Sequence, residues 1–359
     1  MKQGPYSAPL CGDFICGELG AVEGELVNTH WELQIEAENI LNTQNGPQNL
    51  TTTVTEFVLL GLTQSPDLQI FLFIIFFIVY LTTWLGNFTI ITTVITDHRL
   101  HTPMYFLLAN LAFLDVSDSS VTTPKLLLGL LNQRKTISFN ECILQMFFYH
   151  FIGGAMAFFL VGMAIDRYVA IHKPLKYLII MNHSMCMGLV ALAWLGGFTH
   201  SAVQMGLLLQ LPFCGPNILD NFYCDVPQVI KLACTDTHVV ELQMVFNGGV
   251  LLVVVFIILL ISYIIILVKI RTHVTDGKHK ALSTCGTQIA VVCLIFIPSI
   301  FIYARPFKKF TLDKVVSVIY TVITPMLNPM IYTLRNAEMK NAIRRLISRM
   351  LFSGKKLKT

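Results

Sequence analysis

The sequence predicts an all-α membrane protein, a bundle of seven transmembrane helices. The chain of 359 residues is 54% hydrophobic and 13% charged, with a mean hydropathy of +0.66. An average soluble domain is less apolar and has about 25% charged residues. Each of seven apolar runs reaches the about 20 residues that a helix needs to cross a bilayer. The runs lack the alternation of a membrane β-strand. They are Leu68–Thr96, Met104–Leu131, Cys142–Val169, Met185–Leu211, Leu242–Ile270, Ala281–Tyr303 and Lys314–Leu334.

The distribution of charge predicts the orientation. Residues 1–67 contain nine Asp and Glu but one Lys, whereas residues 335–359 contain eight Lys and Arg but one Glu. Basic residues accumulate on the cytoplasmic side of membrane proteins. We therefore expect an extracellular N-terminal segment over residues 1–67, a helix bundle over 68–334 and a cytoplasmic tail over 335–359. An odd number of spans agrees with this arrangement.

The two terminal segments differ in character. Residues 1–48 are polar and lack the apolar core of a secretory signal peptide, so we expect a disordered extension. Asn49 begins an Asn-Leu-Thr sequon on the expected outer face and is a predicted glycosylation site. Residues 336–350 place apolar side chains on one helical face beside Arg344, Arg345 and Arg349. This pattern predicts a short amphipathic helix on the inner membrane surface, with a solvated basic tail as the alternative.

Four of the nine cysteines lie on the expected outer side. Cys142 begins the third run, and Cys214, Cys224 and Cys234 lie in the loop between the fourth and fifth. Disulfides persist in such oxidising surroundings. Four cysteines allow three pairings, and their spacing does not choose among them. The chain has no C-x-x-C pair, so nothing supports a structural zinc site. We expect no cofactor and no nucleic-acid partner.

An acid and a base close the third run, where Asp166 and Arg167 precede Tyr168. A full charge is costly at bilayer depth, so this pair should lie at the membrane edge and face protein. Pro174 then ends the helix, because proline has no N–H to donate. The triplet Asp166-Arg167-Tyr168 alone favours an ordinary ion pair at the end of any transmembrane helix, whereas the fifteen residues Met163–Tyr177 do not.

Five motifs in order resemble the olfactory receptors, a family of rhodopsin-like G-protein-coupled receptors. The resemblance extends over about residues 49 to 350 and leaves residues 1–48 outside. The motifs are L-H-T-P-M-Y-F-L-L-A-N-L-A-F-L-D at Leu100–Asp115, M-A-I-D-R-Y-V-A-I-H-K-P-L-K-Y at Met163–Tyr177, S-Y at Ser262–Tyr263, K-A-L-S-T-C at Lys280–Cys285 and P-M-L-N-P-M-I-Y-T-L-R-N at Pro325–Asn336.

The resemblance implies an odorant receptor of the plasma membrane that activates a stimulatory, olfactory-type heterotrimeric G protein and raises cAMP. It also implies the disulfides Cys142–Cys224 and Cys214–Cys234. In the implied switch, Asp166 holds Arg167 at rest, and the inner half of the sixth span moves outward on activation. The expected switch residues are Asp166, Arg167, Tyr168, Tyr263, Asn328, Pro329 and Tyr332.

Asp115 lies at mid-membrane depth in the second span and is a weak candidate for binding sodium. Related receptors commonly have a second acid where this chain has Met156. A neutral Asp115 that serves only as a hydrogen-bond partner is the alternative.

The ligand site should lie between helices in the outer half of the bundle. The expected residues are largely aromatic or aliphatic, which predicts a small, neutral, volatile or semi-volatile ligand with one hydrogen-bonding group. The glycine pair in this set either leaves room for the ligand or lets two helices approach closely. Ordinary core packing is the alternative for each single residue. The set is Tyr149, His150, Gly153, Gly154, Asn247, Leu251, Phe296, Ser299, Tyr303 and Thr321.

Other functions have less support. His200 and Ser201 could suggest an intramembrane hydrolase, but no acid or second histidine lies at helical spacing to orient a base. We therefore expect that this protein is not an enzyme. A transporter would predict an internal repeat, and none is visible. An amine receptor would need a carboxylate at the level of Tyr149. A retinal pigment would need a lysine in the middle of the seventh span. Membrane lipids and a trafficking chaperone complete the expected partners.

Overall fold

The computed structural model describes residues 54–132, 135–273, 278–304 and 312–356. The predicted disordered extension over residues 1–48 and the sequon at Asn49 lie outside the described residues. The described part of the chain is mostly helical, with a small sheet at one end.

Each predicted apolar run overlaps one long helix. Two of the helices contain a π-helical turn: α5 runs from His238–Met244 through Val245–Val250 to Leu251–His273, and α7 from Asp313–Val318 through Ile319–Ile323 to Thr324–Arg335. A further helix, α8, follows α7 directly. The remaining bounds are α1 Pro66–Thr96, α2 Pro103–Leu131, α3 Phe139–His172, α4 His183–Leu208, α6 Lys278–Tyr303 and α8 Ala337–Lys356.

Six helices in the described ranges are long and apolar enough to cross a membrane: α1, α3, α4, α5, α6 and α7. Helix α2 has the necessary length but is less apolar, because it carries Asp115, Asp118, Lys125 and five Ser or Thr residues. The structure therefore confirms an apolar helical bundle. Membrane crossing by α2, and with it the count of seven spans, stays a prediction.

Local sequence explains where several helices begin and end. Pro66 and Pro103 occupy the first turns of α1 and α2, where a missing N–H costs nothing. Helix α3 starts with a capping box, in which the Ser138 hydroxyl accepts from the Glu141 amide and the Glu141 carboxylate accepts from the Ser138 amide. Helix α3 ends just before Pro174, as the sequence predicted.

One end of the bundle carries the sheet and both disulfides, and is called the disulfide end below. Strand β1, Glu56–Leu59, lies between β2, Thr136–Ser138, and β3, Ile218–Leu219. It pairs antiparallel with β2 and parallel with β3. The bridges are Cys142–Cys224 and Cys214–Cys234, as the resemblance implied. The opposite end, where α3 finishes, is called the Arg167 end.

Helix α8 is fastened to the Arg167 end by polar contacts. The Arg345 guanidinium donates from Nε and Nη2 to Asp97 Oδ2 at 2.9 and 2.6 Å. The Tyr105 hydroxyl of α2 donates to the side chains of Asn336 and Glu338 at the start of α8. Met339 of α8 is fully buried. The Arg345 guanidinium holds the pKa of the Asp97 carboxyl below its usual value.

Candidate functional site

A cavity of about 340 Å³ lies between helices α3 to α7, on the side of the disulfide end. Nine of the ten residues expected at the ligand site line its wall. Aromatic and aliphatic groups dominate this wall, and hydroxyl, amide and imidazole groups occupy a few positions. The nine residues are Tyr149, His150, Gly153, Gly154, Asn247, Leu251, Phe296, Ser299 and Tyr303.

The tenth expected residue, Thr321, lies off the wall. Its hydroxyl donates to the Ser317 carbonyl at 2.8 Å within α7, and the side chain is fully buried. Tyr320 lines the cavity instead. Both residues belong to the π-helical turn of α7, where the side-chain directions depart from α-helical spacing. The expected level on α7 therefore coincides with the cavity, but the wall there is formed by Tyr320 and not by Thr321.

Helix α4 contributes polar groups that the expected set of ligand-site residues does not include. His200 and Gln204 line the cavity one helical turn apart. His200 Nδ1 donates to Asn247 Oδ1 of α5 at 3.2 Å, and Asn247 Nδ2 donates to Gln204 Oε1 at 3.0 Å. Gln243 donates to the same oxygen at 3.2 Å. These four residues are called the amide clasp below. The signal was present in the sequence, because two polar residues four apart in an apolar helix define one polar face.

The two glycines of α3 meet different surroundings. A Cβ on Gly154 would lie 3.0 Å from the Gly197 Cα of α4, so this position brings two helix backbones close together. A Cβ on Gly153 would meet only the Tyr320 hydroxyl, at 3.3 Å. Gly153 therefore leaves space in the cavity, and its neighbour Gly154 lets helices α3 and α4 approach closely.

A buried carboxylate lies behind the cavity wall at the disulfide end. Asp225 comes from the loop between α4 and α5, and accepts hydrogen bonds from the hydroxyls of Tyr303 at 3.0 Å and Tyr223 at 3.2 Å. Its Oδ1 lies 3.7 Å from His150 Nε2. Burial raises the pKa of Asp225 to about 6. The sequence offered no sign of this group, because loop residues have no periodicity from which to infer a direction.

At the Arg167 end, the predicted ion pair is present. Arg167 Nη2 lies 3.0 Å from Asp166 Oδ2, and the Tyr177 hydroxyl donates to Asp166 Oδ1 at 2.7 Å. Tyr263 and Tyr332 are buried, and their hydroxyls find no hydrogen-bond partner among the described residues. Tyr168, by contrast, stacks on the His172 ring with centroids 4.2 Å apart and is exposed.

Comparison with known proteins decides the family. Residues 76–350 match a family model described as Olfactory receptor. Olfactory receptor 4D1 from Homo sapiens is 59% identical over 300 residues, which are 84% of this chain and 96% of the relative. Olfactory receptor 4N5 from Homo sapiens is 55% identical over 85% of this chain and 99% of the relative. Olfactory receptor 4M1 from Mus musculus is 52% identical over 85% and 98%. The chain belongs to the olfactory receptor family.

Membership of that family settles several expectations. An olfactory receptor is a G-protein-coupled receptor and no enzyme, and it crosses the plasma membrane several times. The family detects odorants through G-protein signalling, so odorants and G proteins are the partner classes of this receptor.

Between the cavity and the ion pair, polar groups connect the receptor's helices directly. Asn328 Nδ2 donates to Asp115 Oδ1 at 2.8 Å, linking α7 to α2. Pro329 contacts α1, where a Cβ on Gly86 would lie 3.0 Å from the proline ring. Within the described ranges, no group of three His, Cys, Asp or Glu side chains is placed to hold a metal ion. Sodium binding at Asp115 stays a prediction.

Proposed function

We propose that this receptor binds a small, neutral, volatile or semi-volatile molecule in the cavity and activates a stimulatory, olfactory-type G protein, which raises cAMP. The composition of the cavity wall carries the proposal. No Asp, Glu, Lys or Arg from the described residues lies in that wall. An ionised ligand would therefore lose its hydration without contacting a charged side chain in the wall, whereas an uncharged ligand loses much less.

The ligand's hydrogen-bonding group has a candidate partner in His150. This side chain is 7% exposed, lines the cavity, and its Nε2 finds no hydrogen-bond partner among the described residues. A buried polar group without a partner costs about 1–3 kcal/mol. An alcohol, aldehyde, ketone or ester that supplies the missing hydrogen bond therefore gains affinity over a hydrocarbon of the same shape.

We propose that α1 to α7 all cross the membrane, with the disulfide end outside. Disulfides form and persist on the oxidising side. Asp115, Asp118 and Ser119 of α2 are buried in the bundle, so lipid does not meet its polar groups. Residues 1–67 are then extracellular, with Asn49 glycosylated. Residues 335–359 are cytoplasmic.

Lipids and a chaperone complete the proposed surroundings. Apolar side chains such as Leu85 and Ile95 of α1 are largely exposed and suit contact with lipid tails. Helix α8 rests on the inner leaflet, where its arginines lie near anionic lipid head groups. A trafficking chaperone assists delivery to the plasma membrane.

Activation is proposed to release Arg167 from Asp166. The contacts described above represent rest, because Arg167 is paired with Asp166 while the hydroxyls of Tyr263 and Tyr332 have no hydrogen-bond partner in the described part of the chain. When the Arg167 end of α6 moves outward, with Pro298 as a pivot, the two tyrosines approach Arg167. The crevice that opens accepts a helix of the G protein.

The test is a cAMP reporter assay with an odorant panel, in cells that contain an olfactory-type stimulatory G protein. We expect Arg167→Ala to abolish the response at unchanged surface expression. The matched control Arg349→Ala, on the exposed face of α8, keeps it. A full response from Arg167→Ala would contradict the proposed switch.

The same assay tests the cavity. Gly153→Ala adds a methyl group that meets only a side-chain hydroxyl, so it narrows the cavity without forcing two helices apart. We expect it to change the order of potency among odorants. Gly188→Ala, where a Cβ would meet nothing within 4 Å, is the control. Identical dose–response curves for both variants would rule out this cavity as the ligand site.

A further inference from the structure

The cavity is closed at the disulfide end by a loop that is tied to several helices. Cys224 is bonded to Cys142 at the start of α3, and its amide donates to the Gln145 side chain at 2.9 Å. The hydroxyl of Tyr303 in α6 donates to Asp225. Tyr223, Cys224 and Asp225 are all buried. A ligand entering from this side would have to displace a segment that is held by a covalent bond and several buried hydrogen bonds.

The upper part of the gap between α4 and α5 is closed as well. The amide clasp spans this gap with side-chain hydrogen bonds of 3.0 to 3.2 Å. Gln204, at its centre, is 2% exposed. Opening the gap at this height would break several hydrogen bonds between buried groups, which are costly to leave without partners.

Below the amide clasp, the cavity reaches the surface of the bundle. Phe158, Leu251 and Ile258 line the cavity and are 38%, 47% and 57% exposed. Phe158 lies eight residues after His150, about 12 Å deeper at 1.5 Å per residue. The exposed faces of these side chains therefore lie at membrane depth, on the side of α3, α4 and α5.

The ring of Phe158 occupies a notch on α4. A Cβ on Gly196 would lie 2.4 to 2.8 Å from three atoms of that ring, so only glycine allows the ring to rest there. The neighbouring wall residues Ala157 and Val255 are small and partly exposed. These apolar groups form no hydrogen bonds that a passing ligand would have to break.

We propose that ligands reach the cavity from the lipid bilayer, through an opening between α3, α4 and α5 at which Phe158 is the movable side chain. The inference rests on the proposed function for the identity of the cavity. The ligands admitted are uncharged molecules that partition into the hydrocarbon core. Ala157 sets the width of the opening, and membrane partitioning contributes to selectivity before any contact in the cavity is made.

The test labels a cysteine inside the cavity and needs neither an odorant nor a G protein. Ser299→Cys places a thiol in the cavity wall. If this variant does not reach the cell surface, Phe296→Cys is used in its place. Intact cells are treated with N-hexylmaleimide, which enters the bilayer, or with a sulfonated maleimide, which does not. Fragmentation mass spectrometry assigns the label to the new thiol and separates it from Cys285 and Cys293, which lie on the same helix.

Ala157→Phe fills the opening and should slow labelling by N-hexylmaleimide about tenfold, equivalent to a barrier higher by about 1.4 kcal/mol. Ala191→Phe is the control, because Ala191 lies on the exposed face of α4, off the cavity wall. Leu252→Trp is a second blocking variant if Ala157→Phe does not fold.

Slow labelling by the sulfonated reagent, together with the effect of the blocking variant, supports the membrane route. Rapid labelling by the sulfonated reagent, or unchanged labelling in the blocking variants, overturns it. The labelling experiment does not depend on signalling. If the labelling is as expected but the cAMP assay gives no response to any odorant, the proposed function is rejected and the membrane route still holds.

Discussion

The close approach of helices α3 and α4 at Gly197 offers a sharp test. A Cβ added to Gly197 of α4 would lie 2.5 Å from the Phe151 carbonyl oxygen and 2.6 Å from the Ala155 nitrogen of α3. Both are backbone atoms, so no side-chain rotation relieves the overlap. Gly197→Ala must therefore push α3 and α4 apart, and with them the cavity residues that these helices carry.

The magnitude follows from the overlap. Carbon atoms in good contact lie about 3.5–4.0 Å apart, so relief requires a helix shift approaching 1 Å. Overpacking of this kind typically costs about 1–3 kcal/mol. The shift also strains the hydrogen bond of 2.6 Å that Ser201 of α4 donates to the Phe147 carbonyl of α3. Replacing glycine by alanine in a helix returns about 1 kcal/mol, which offsets part of the loss.

A control variant on the same helix makes the same gain in helix propensity, so this gain cancels when the two variants are compared. Gly188 lies on the same helix, and a Cβ there would meet nothing within 4 Å. Gly188→Ala therefore contains the helix-propensity gain without the overlap. We expect Gly197→Ala to unfold at a lower apparent Tm than Gly188→Ala, by roughly 5 °C. Heating of detergent-solubilised fluorescent fusions, followed by size-exclusion chromatography, measures both variants. Equal apparent Tm values would show that the two backbones are not in contact at Gly197.

Three further predictions concern the two ends of the bundle and the cavity wall. Burial raises the pKa of Asp225 to about 6, so its contribution to stability is complete below its usual pKa and is lost as pH rises towards 6. Asp225→Asn should therefore flatten the decrease of apparent Tm between about pH 4 and 7. The ionisation of Asp225 accounts for about 3 kcal/mol of this decrease in stability, at about 1.4 kcal/mol per pKa unit. An unchanged pH profile of the apparent Tm in the variant would contradict this prediction. Arg345→Gln should increase hydrogen exchange in α8 by removing its contact with Asp97, whereas the exposed Arg344→Gln should not; equal exchange in both variants would argue against the contact. Thr321→Val should leave odorant potency unchanged, because this side chain lies off the cavity wall; a potency shift in the cAMP assay would place it at the ligand.

Local pattern predicted much of this receptor. Long apolar runs predicted the helices, because a segment in lipid must satisfy its own backbone hydrogen bonds. The pairing of Asp166 with Arg167 followed from the cost of an unpaired charge near the membrane. Helical spacing from Arg167 placed Tyr149 and His150 at the level of the cavity, because α3 is α-helical throughout.

In α7 the cavity wall differs from the expected set of residues. The π-helical turn in α7 puts Tyr320 on the wall and Thr321 off it. Whether a turn closes as α or π depends on what the neighbouring helices accept, so the local sequence does not reveal it. The carboxylate of Asp225 was missed for a related reason, since its position depends on the disulfide and on Tyr303 of α6.

The sequence by itself determined the class of the protein, the places of its helices and the pairing of its charges at the end of α3. These depend on residues near in the chain and on the cost of moving polar groups into lipid. Only the tertiary structure decided that Gly154 meets Gly197, that Asp225 lies behind His150, and that Phe158 rests on Gly196 at the edge of the cavity. Each of these contacts joins residues more than 35 positions apart, and which of them form depends on how all the helices fit together at once.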